Sequence, residues 1–333
     1  MISKKRQLLI VLALIIVIFL TNLSACTAPK ESKLSKSDFV LNTVVTITIF
    51  DNSDEKIIDE CFNLCRYYES LFSRTDENSE IYKLNTRQIS EVSDETAEVI
   101  SKGLEYGAIS DGNFDITIEP LSSLWNFTGD SPSVPSEAAI AEAKSHVDYK
   151  AVSVLGNTIT FENDYTRLDL GAIAKGYIAD KVKEFLISRG VKSALINLGG
   201  NVLCIGGKPD TSGFEVGIQY PFKDGSIASV STSDLSVVTS GTYERYFEQD
   251  GKQYYHILNP KTGYPYDTDL LSVSIIGANS CTCDILSTTC FALGKDAGTA
   301  LIESMEGYYA IFVTDDYKLY FTKGAQEALS IKY

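Results

Sequence analysis

Asp169-Leu170-Gly171-Ala172-Ile173-Ala174-Lys175-Gly176-Tyr177-Ile178-Ala179-Asp180 reads as a short apolar strand that turns, through two glycines and small residues, into an amphipathic helix. A helix start leaves backbone N–H groups unpaired and carries the positive end of the helix dipole, so it favours an anion. Asp169 and Lys175 put a carboxylate and an ammonium at that mouth. Gly171 and Gly176 remove the Cβ atoms that would hold backbone or ligand away. The pattern predicts a phosphate-bearing ligand at this turn. Many α/β turns share these features and bind nothing, so the prediction needs support from the rest of the chain.

Downstream, Ile178, Val182, Phe185 and Leu186 form one helical stripe that stops at Gly190. A strand over 193–197 follows, then strands over 214–220, 227–232, 235–240, 254–258 and 270–276, mostly at hairpin spacing. Helices over 281–293 and 296–305 and a hairpin over 309–322 complete this half. Upstream, Leu41 to Phe50 is rich in branched residues and predicts a strand, with folding expected to begin at Phe39. A helix over 54–72 carries Ile58, Phe62, Cys65 and Leu71 at helical spacing, and a second, capped by Ser93, ends at Asp111-Gly112. Trp125 and Phe127 read as core, residues 128–135 as a surface excursion, and His146 as solvated at the end of an Ala-rich helix. Strands over 151–155 and 158–162 lead back to Asp169. The sum is an α+β fold with largely antiparallel sheets flanked by helices.

The first 25 residues are an address. Lys4, Lys5 and Arg6 precede an apolar run from Leu8 to Leu20, thirteen residues against the ~20 that span a bilayer. Leu23-Ser24-Ala25-Cys26 reads as a lipobox, which makes residues 1–25 a lipoprotein signal peptide and Cys26 the acylated first residue. The expected location is therefore outside the cytoplasmic membrane, on its outer face, anchored in the lipid bilayer through Cys26. Residues 26–37 form the lipidated cysteine and a flexible tether, and 38–333 the folded domain. Losing the three leader cations takes the formal charge from −15 to −18, which excludes a nucleic acid polymer as partner. An anion site in so acidic a body must be a local exception. Cys61 and Cys65, one turn apart on a helix, read as small buried hydrophobes, and Cys281-x-Cys283 with Cys290 lacks the ligand pattern of a zinc site.

Four ordered blocks carry a resemblance. After Asp169–Asp180 come Asn197-Leu198-Gly199-Gly200-Asn201, then Ser240-Gly241-Thr242-Tyr243-Glu244-Arg245-Tyr246-Phe247 leading to His256-Ile257-Leu258-Asn259-Pro260-Lys261-Thr262-Gly263, and last Asp284-Ile285-Leu286-Ser287-Thr288-Thr289. In this order they resemble the ApbE-like FAD:protein FMN transferases. The resemblance implies an ApbE-like fold with an FAD and metal cleft between its lobes. It also implies Mg²⁺-dependent transfer of FMN from FAD to a threonine of an acceptor flavoprotein, with AMP released and FAD hydrolysis as a side reaction. By the same resemblance Ala172 (through its carbonyl), Asp284, Ser287 and Thr288 hold the metal. Leu41, Thr75, Asn113, Phe114, Asp115, Asp169, Lys175 and Leu258 contact FAD. Two departures stand out: Leu41-Asn42-Thr43 replaces a Met-Gly-Thr, and Thr75 falls where the family places an aromatic.

The residue types suit that chemistry. Mg²⁺ takes hard oxygens, few of them from protein because it keeps water and uses substrate phosphates. Asp284, Ser287 and Thr288 stand at i, i+3 and i+4, on one helix face. His256, one of two histidines, suits proton abstraction from an acceptor hydroxyl with its ordinary pKa near ~6.5. Asp284 has a bland alternative as a helix N-cap, and Asp169 with Lys175 as an ion pair at the helix start. The rival function is a surface lipoprotein that binds flavin or another nucleotide and does not turn it over.

Overall fold

The computed structural model describes residues 33–333. The Cys26 lipidation and signal-peptide readings lie outside the described residues. An eight-stranded, wholly antiparallel sheet runs in the order Leu34–Val40, Thr43–Ile49, Ala194–Leu198, Asn201–Ile205, Ser236–Gly241, Leu270–Gly277, Tyr309–Thr314, Leu319–Phe321. Both faces of it are covered. Successive strand residues point to opposite sides, so Val238, Ile275 and Phe312 join the main core, which also takes in Ile58, Val182 and Ile285 of three helices. Their neighbours Val237, Ile276 and Ile311 pack with Val216 and Val230 of a three-stranded sheet, Phe214–Gln219, Ser226–Thr232 and Ser330–Lys332. Doubly buried strands explain paired apolar residues such as Val237-Val238 and Ile275-Ile276, where simple alternation would leave one face polar.

The three covering helices span Glu55–Phe72, Ala174–Ser188 and Ser280–Glu303. The last is two helices in one, as expected, because Gly294 breaks it with φ 80° and ψ 170°. Cys61 and Cys65 sit fully buried on the first helix, where burial pushes both thiols up to about 12. All six cysteines among the described residues are free.

The second and third of these helices cross at their N-termini, and Gly176 sets the crossing. A Cβ there would lie 2.3 Å from the Ser280 carbonyl and 2.7 Å from the Asp284 Cβ. Each helix is capped by a carboxylate of the other. Asp180 accepts from the N–H groups of Ser280 and Cys281 (2.9 Å each), while Asp284 Oδ2 accepts from the Gly176 N–H at 2.8 Å.

Several expectations are corrected. The first strand opens at Leu34, so residues 34–37 belong to a hairpin and not to the tether. Leu41 and Asn42 are not strand: φ of 58° and 54° makes them the two-residue turn of that hairpin, a geometry that matches strand twist. Strands Asn201–Ile205 and Tyr246–Gln249 were not anticipated, and the strand expected over 254–258 is Lys252–Tyr255, which leaves His256 in the loop beyond. Residues leading to Asp169 form no regular strand, only a parallel bridge from Arg167 to Ile118. His146 is not simply solvated: it stacks on Tyr165 at 4.8 Å and meets Glu142 at 3.3 Å.

Candidate active site

A cleft of about 630 Å³ opens where the Ala174 and Ser280 helices begin. Its wall holds Leu41, Thr75, Asn113, Phe114, Asp115, Asp169, Ala172, Lys175, His256, Leu258, Asp284 and Thr288, residues spread over more than 240 positions of sequence. Of the sequence-derived set within the described residues, Ser287 alone is off the wall. It is fully buried one position before Thr288, its hydroxyl donating to the Asp284 carbonyl at 2.8 Å and contacting Ser240 Oγ at 2.7 Å. Helical geometry explains this, since a one-residue step turns a side chain about 100° around the axis.

Asp284 is not a helix N-cap in its own helix, where Asn279 plays that part. It is 4% exposed, and burial pushes its carboxyl above the usual carboxylate range, opposed by the Lys175 ammonium and the Gly176 N–H. Its Oδ2 takes the Gly176 N–H, and Oδ1 has no hydrogen bond within the protein among the described residues. The diversion matters next door. In a regular helix the Gly176 N–H would return to the carbonyl four residues back, that of Ala172; given to Asp284 instead, it frees that carbonyl. Asp284, with one carboxylate oxygen unused, Ala172, with its carbonyl freed, and Thr288 all line the cleft. Such a set of hard oxygens, too few to enclose an ion, fits Mg²⁺ completed by substrate phosphates and water.

Asp169 is not paired with Lys175. Its Oδ2 meets Arg74 Nε at 3.1 Å and its Oδ1 accepts from the Gly171 N–H at 2.9 Å, so the carboxylate fixes the turn. Arg74 also donates to Ser123 Oγ at 2.7 Å and tethers the loop carrying Thr75. Sequence reasoning missed Arg74; its one signal was an unmatched cation beside Thr75. Lys175 acts on three groups of the cleft: it opposes the burial that raises the carboxyls of Glu244 and Asp284, and it adds to the burial that disfavours a charge on His256.

The far wall is built by internal bonds. Asp115 accepts from Thr117 N–H (2.7 Å), Thr117 Oγ1 (2.6 Å) and Tyr149 N–H (3.0 Å), and the Asn113 carbonyl accepts from the Tyr266 hydroxyl at 2.8 Å. Trp125 is core as expected, fully buried with Nε1 donating to the Gly263 carbonyl at 2.8 Å. Phe127 is half-buried against the same cluster, stacked on Trp125 with rings 6° from parallel, and also lines the cleft.

His256 differs from expectation in basicity. Burial, then the charges of Arg245 and Lys175, push its pKa down to about 3. The imidazole is neutral at physiological pH, and Nδ1 is sealed from solvent with no partner.

The chain is similar to known proteins. The model of the ApbE family matches residues 41–312. The chain belongs to the ApbE family. A protein of Klebsiella pneumoniae named FAD:protein FMN transferase is 37% identical over 84% of this chain and 89% of its own length. One of Treponema pallidum with the same name is 30% identical over 95% and 94%. The crystal structure of the ApbE protein of Thermotoga maritima superposes with a TM-score of 0.82 at 32% identity, covering 89% of this chain and 98% of that one. Membership in the ApbE family makes the chain an enzyme of the transferase class with the α+β ApbE fold.

Proposed function

We propose that the chain is an FAD:protein FMN transferase: it moves FMN from FAD to a threonine hydroxyl of an acceptor flavoprotein and releases AMP, with Mg²⁺ as the cation. The observation that carries this reading is that Asp284 with an unused oxygen, Ala172 with a freed carbonyl, Thr288 and Lys175 all line one cleft. The relatives' names support flavin as the group transferred.

Asp284, Thr288 and the Ala172 carbonyl would hold the Mg²⁺, which neutralises charge on the diphosphate as it is cleaved. Lys175 attracts the same diphosphate to the start of the Ala174 helix. Asp169 and Arg74 keep the Gly171 turn in place beneath it, while Leu41, Phe114 and Leu258 give apolar surface to the flavin. The threonine oxygen forms a bond to the FMN-side phosphorus, and the bond from that phosphorus to the bridging oxygen breaks. AMP keeps the bridging oxygen and its electron pair, and the hydroxyl proton departs to solvent or to AMP. His256, neutral and on the cleft wall, accepts the hydrogen bond of the incoming hydroxyl and orients it; its lowered basicity makes it a weak proton store.

Work outside the cytoplasmic membrane, anchored by acyl chains on Cys26, is part of the proposal and rests on the leader and lipobox. Incubating the protein with FAD, Mg²⁺ and an acceptor flavoprotein tests the reaction by mass spectrometry. An FMN adduct on a threonine with equimolar AMP is the expected result. Unchanged FAD and unmodified acceptor would make the protein a carrier.

A further inference from the structure

The hydroxyls at the candidate cation site are joined in single file, from Thr288 and Ser240 on the cleft wall to Ser287 behind it, and their hydrogens can be counted. Ser287 Oγ lies 2.8 Å from the Asp284 carbonyl, an atom that only accepts, so the one Ser287 hydrogen is committed there. Ser240 Oγ lies 2.7 Å from Ser287 Oγ. With Ser287 already donating, that contact holds a hydrogen only if Ser240 supplies it; otherwise two oxygens would face each other lone pair to lone pair. Ser240 Oγ also lies 3.1 Å from Thr288 Oγ1. Its own hydrogen spent, Ser240 can only accept, so Thr288 must donate.

We infer that Ser240 and Ser287 are positioning residues. They form a one-way hydroxyl relay, Thr288 to Ser240 to Ser287 to the Asp284 carbonyl, that ties the Thr288 hydrogen to Ser240 and leaves its lone pairs for a cation. The relay gives Thr288 the polarity of a ligand before any ion arrives, and bars it from acting as a donor to phosphate. It also assigns Ser287 a use other than ligation: it anchors the direction. Ser240 comes from a different element, the Ser236–Gly241 strand, so the helix face alone does not determine that polarity. Groups behind a ligand that fix its orientation typically change metal affinity 10–100-fold when removed.

The inference rests on the cation reading above, and a binding measurement separates the two. Mn²⁺ titration of the full chain, followed by loss of the free-ion paramagnetic resonance signal, is compared for wild type, Ser240→Ala, Ser287→Ala and the double variant. FAD affinity without metal and thermal midpoint are measured alongside. Removing Ser240 strips the Thr288 hydrogen of its acceptor; removing Ser287 frees the Ser240 hydrogen to donate to Thr288 and reverses the relay. Each single change should weaken Mn²⁺ binding about tenfold or more. The double variant should match Ser240→Ala, since both break one relay, and Ser240→Thr should keep wild-type affinity. Metal-free FAD affinity should stay within about twofold. Wild-type Mn²⁺ affinity in both single variants, or losses that add in the double, would overturn the relay while leaving the cation site standing. Wild type that binds no Mn²⁺ would overturn both.

Discussion

Asp180 and Asp284 are near mirror images in position and opposites in use. Each sits near the start of one of two crossing helices, each caps the other helix, and burial raises both carboxyls. Asp180 is saturated: Asn279 Nδ2 at 2.7 Å joins the Ser280 and Cys281 N–H groups. Asp284 has one donor and an oxygen left over, and it lines the cleft. A buried carboxylate with all its partners holds structure together, whereas one with unused valence is available for chemistry. The direction of the pKa shift, alike in the two, does not distinguish them.

Substitutions can break that comparison. Asp284→Asn should cost the most, lowering Mg²⁺-dependent turnover more than about 100-fold while the thermal midpoint holds, because the amide removes the anionic ligand and relieves a buried charge. Steady-state AMP release together with calorimetry checks both halves, and turnover near wild type would remove Asp284 from the site. Gly176→Ala comes next, since it strikes both caps at once. A methyl 2.3 Å from the Ser280 carbonyl forces the helices apart, at about 1–3 kcal/mol of stability and at least tenfold of activity. Asp180→Ala should lower stability alone. It strands buried donors at about 1–3 kcal/mol each, visible as a lower denaturant midpoint. Turnover per folded molecule should stay within about twofold; a selective loss of turnover would mean the two carboxylates are not distinct after all.

The smallest effect concerns pH. His256 has a folded pKa near 3, below its unfolded value, so unfolding takes up a proton in between. Its stabilising contribution is whole above about pH 6.5 and fades as pH falls toward 3. Thermal midpoints of wild type should therefore drop more steeply across that window than those of His256→Gln; equal slopes would mean that His256 is not held neutral.

The helices and their caps were legible because their signals are local. Ser93 caps as expected, the helix expected from Asp54 starts there, and Gly294 divides the last helix where two were expected, whereas the short helix Glu80–Asn85 capped by Ser79 was not anticipated. The cleft could be assembled because motif residues stay together in sequence order. What escaped was set by contacts across the chain. Arg74 has no motif of its own and gains meaning only when Asp169 arrives 95 positions later. The loss of basicity at His256 comes from burial and from Arg245 and Lys175, which spacing does not reveal. Strand Asn201–Ile205 was hidden behind two glycines that looked like a loop and are a tight turn, with φ of 61° and 96°. Ser287 was placed on the metal by the resemblance, and the 100° step of the helix sends it to the rear.

The Leu41-Asn42 turn has a consequence for how such proteins diversify. Seven residue pairs set the hairpin register before the turn is reached, and the turn itself overhangs the cleft with Leu41 N–H held by Glu69 Oε1. Its two side chains can therefore be exchanged without shifting any strand. The rim is a place where lineages, or engineers, can retune which ring system is welcomed while the catalytic floor stays as it was.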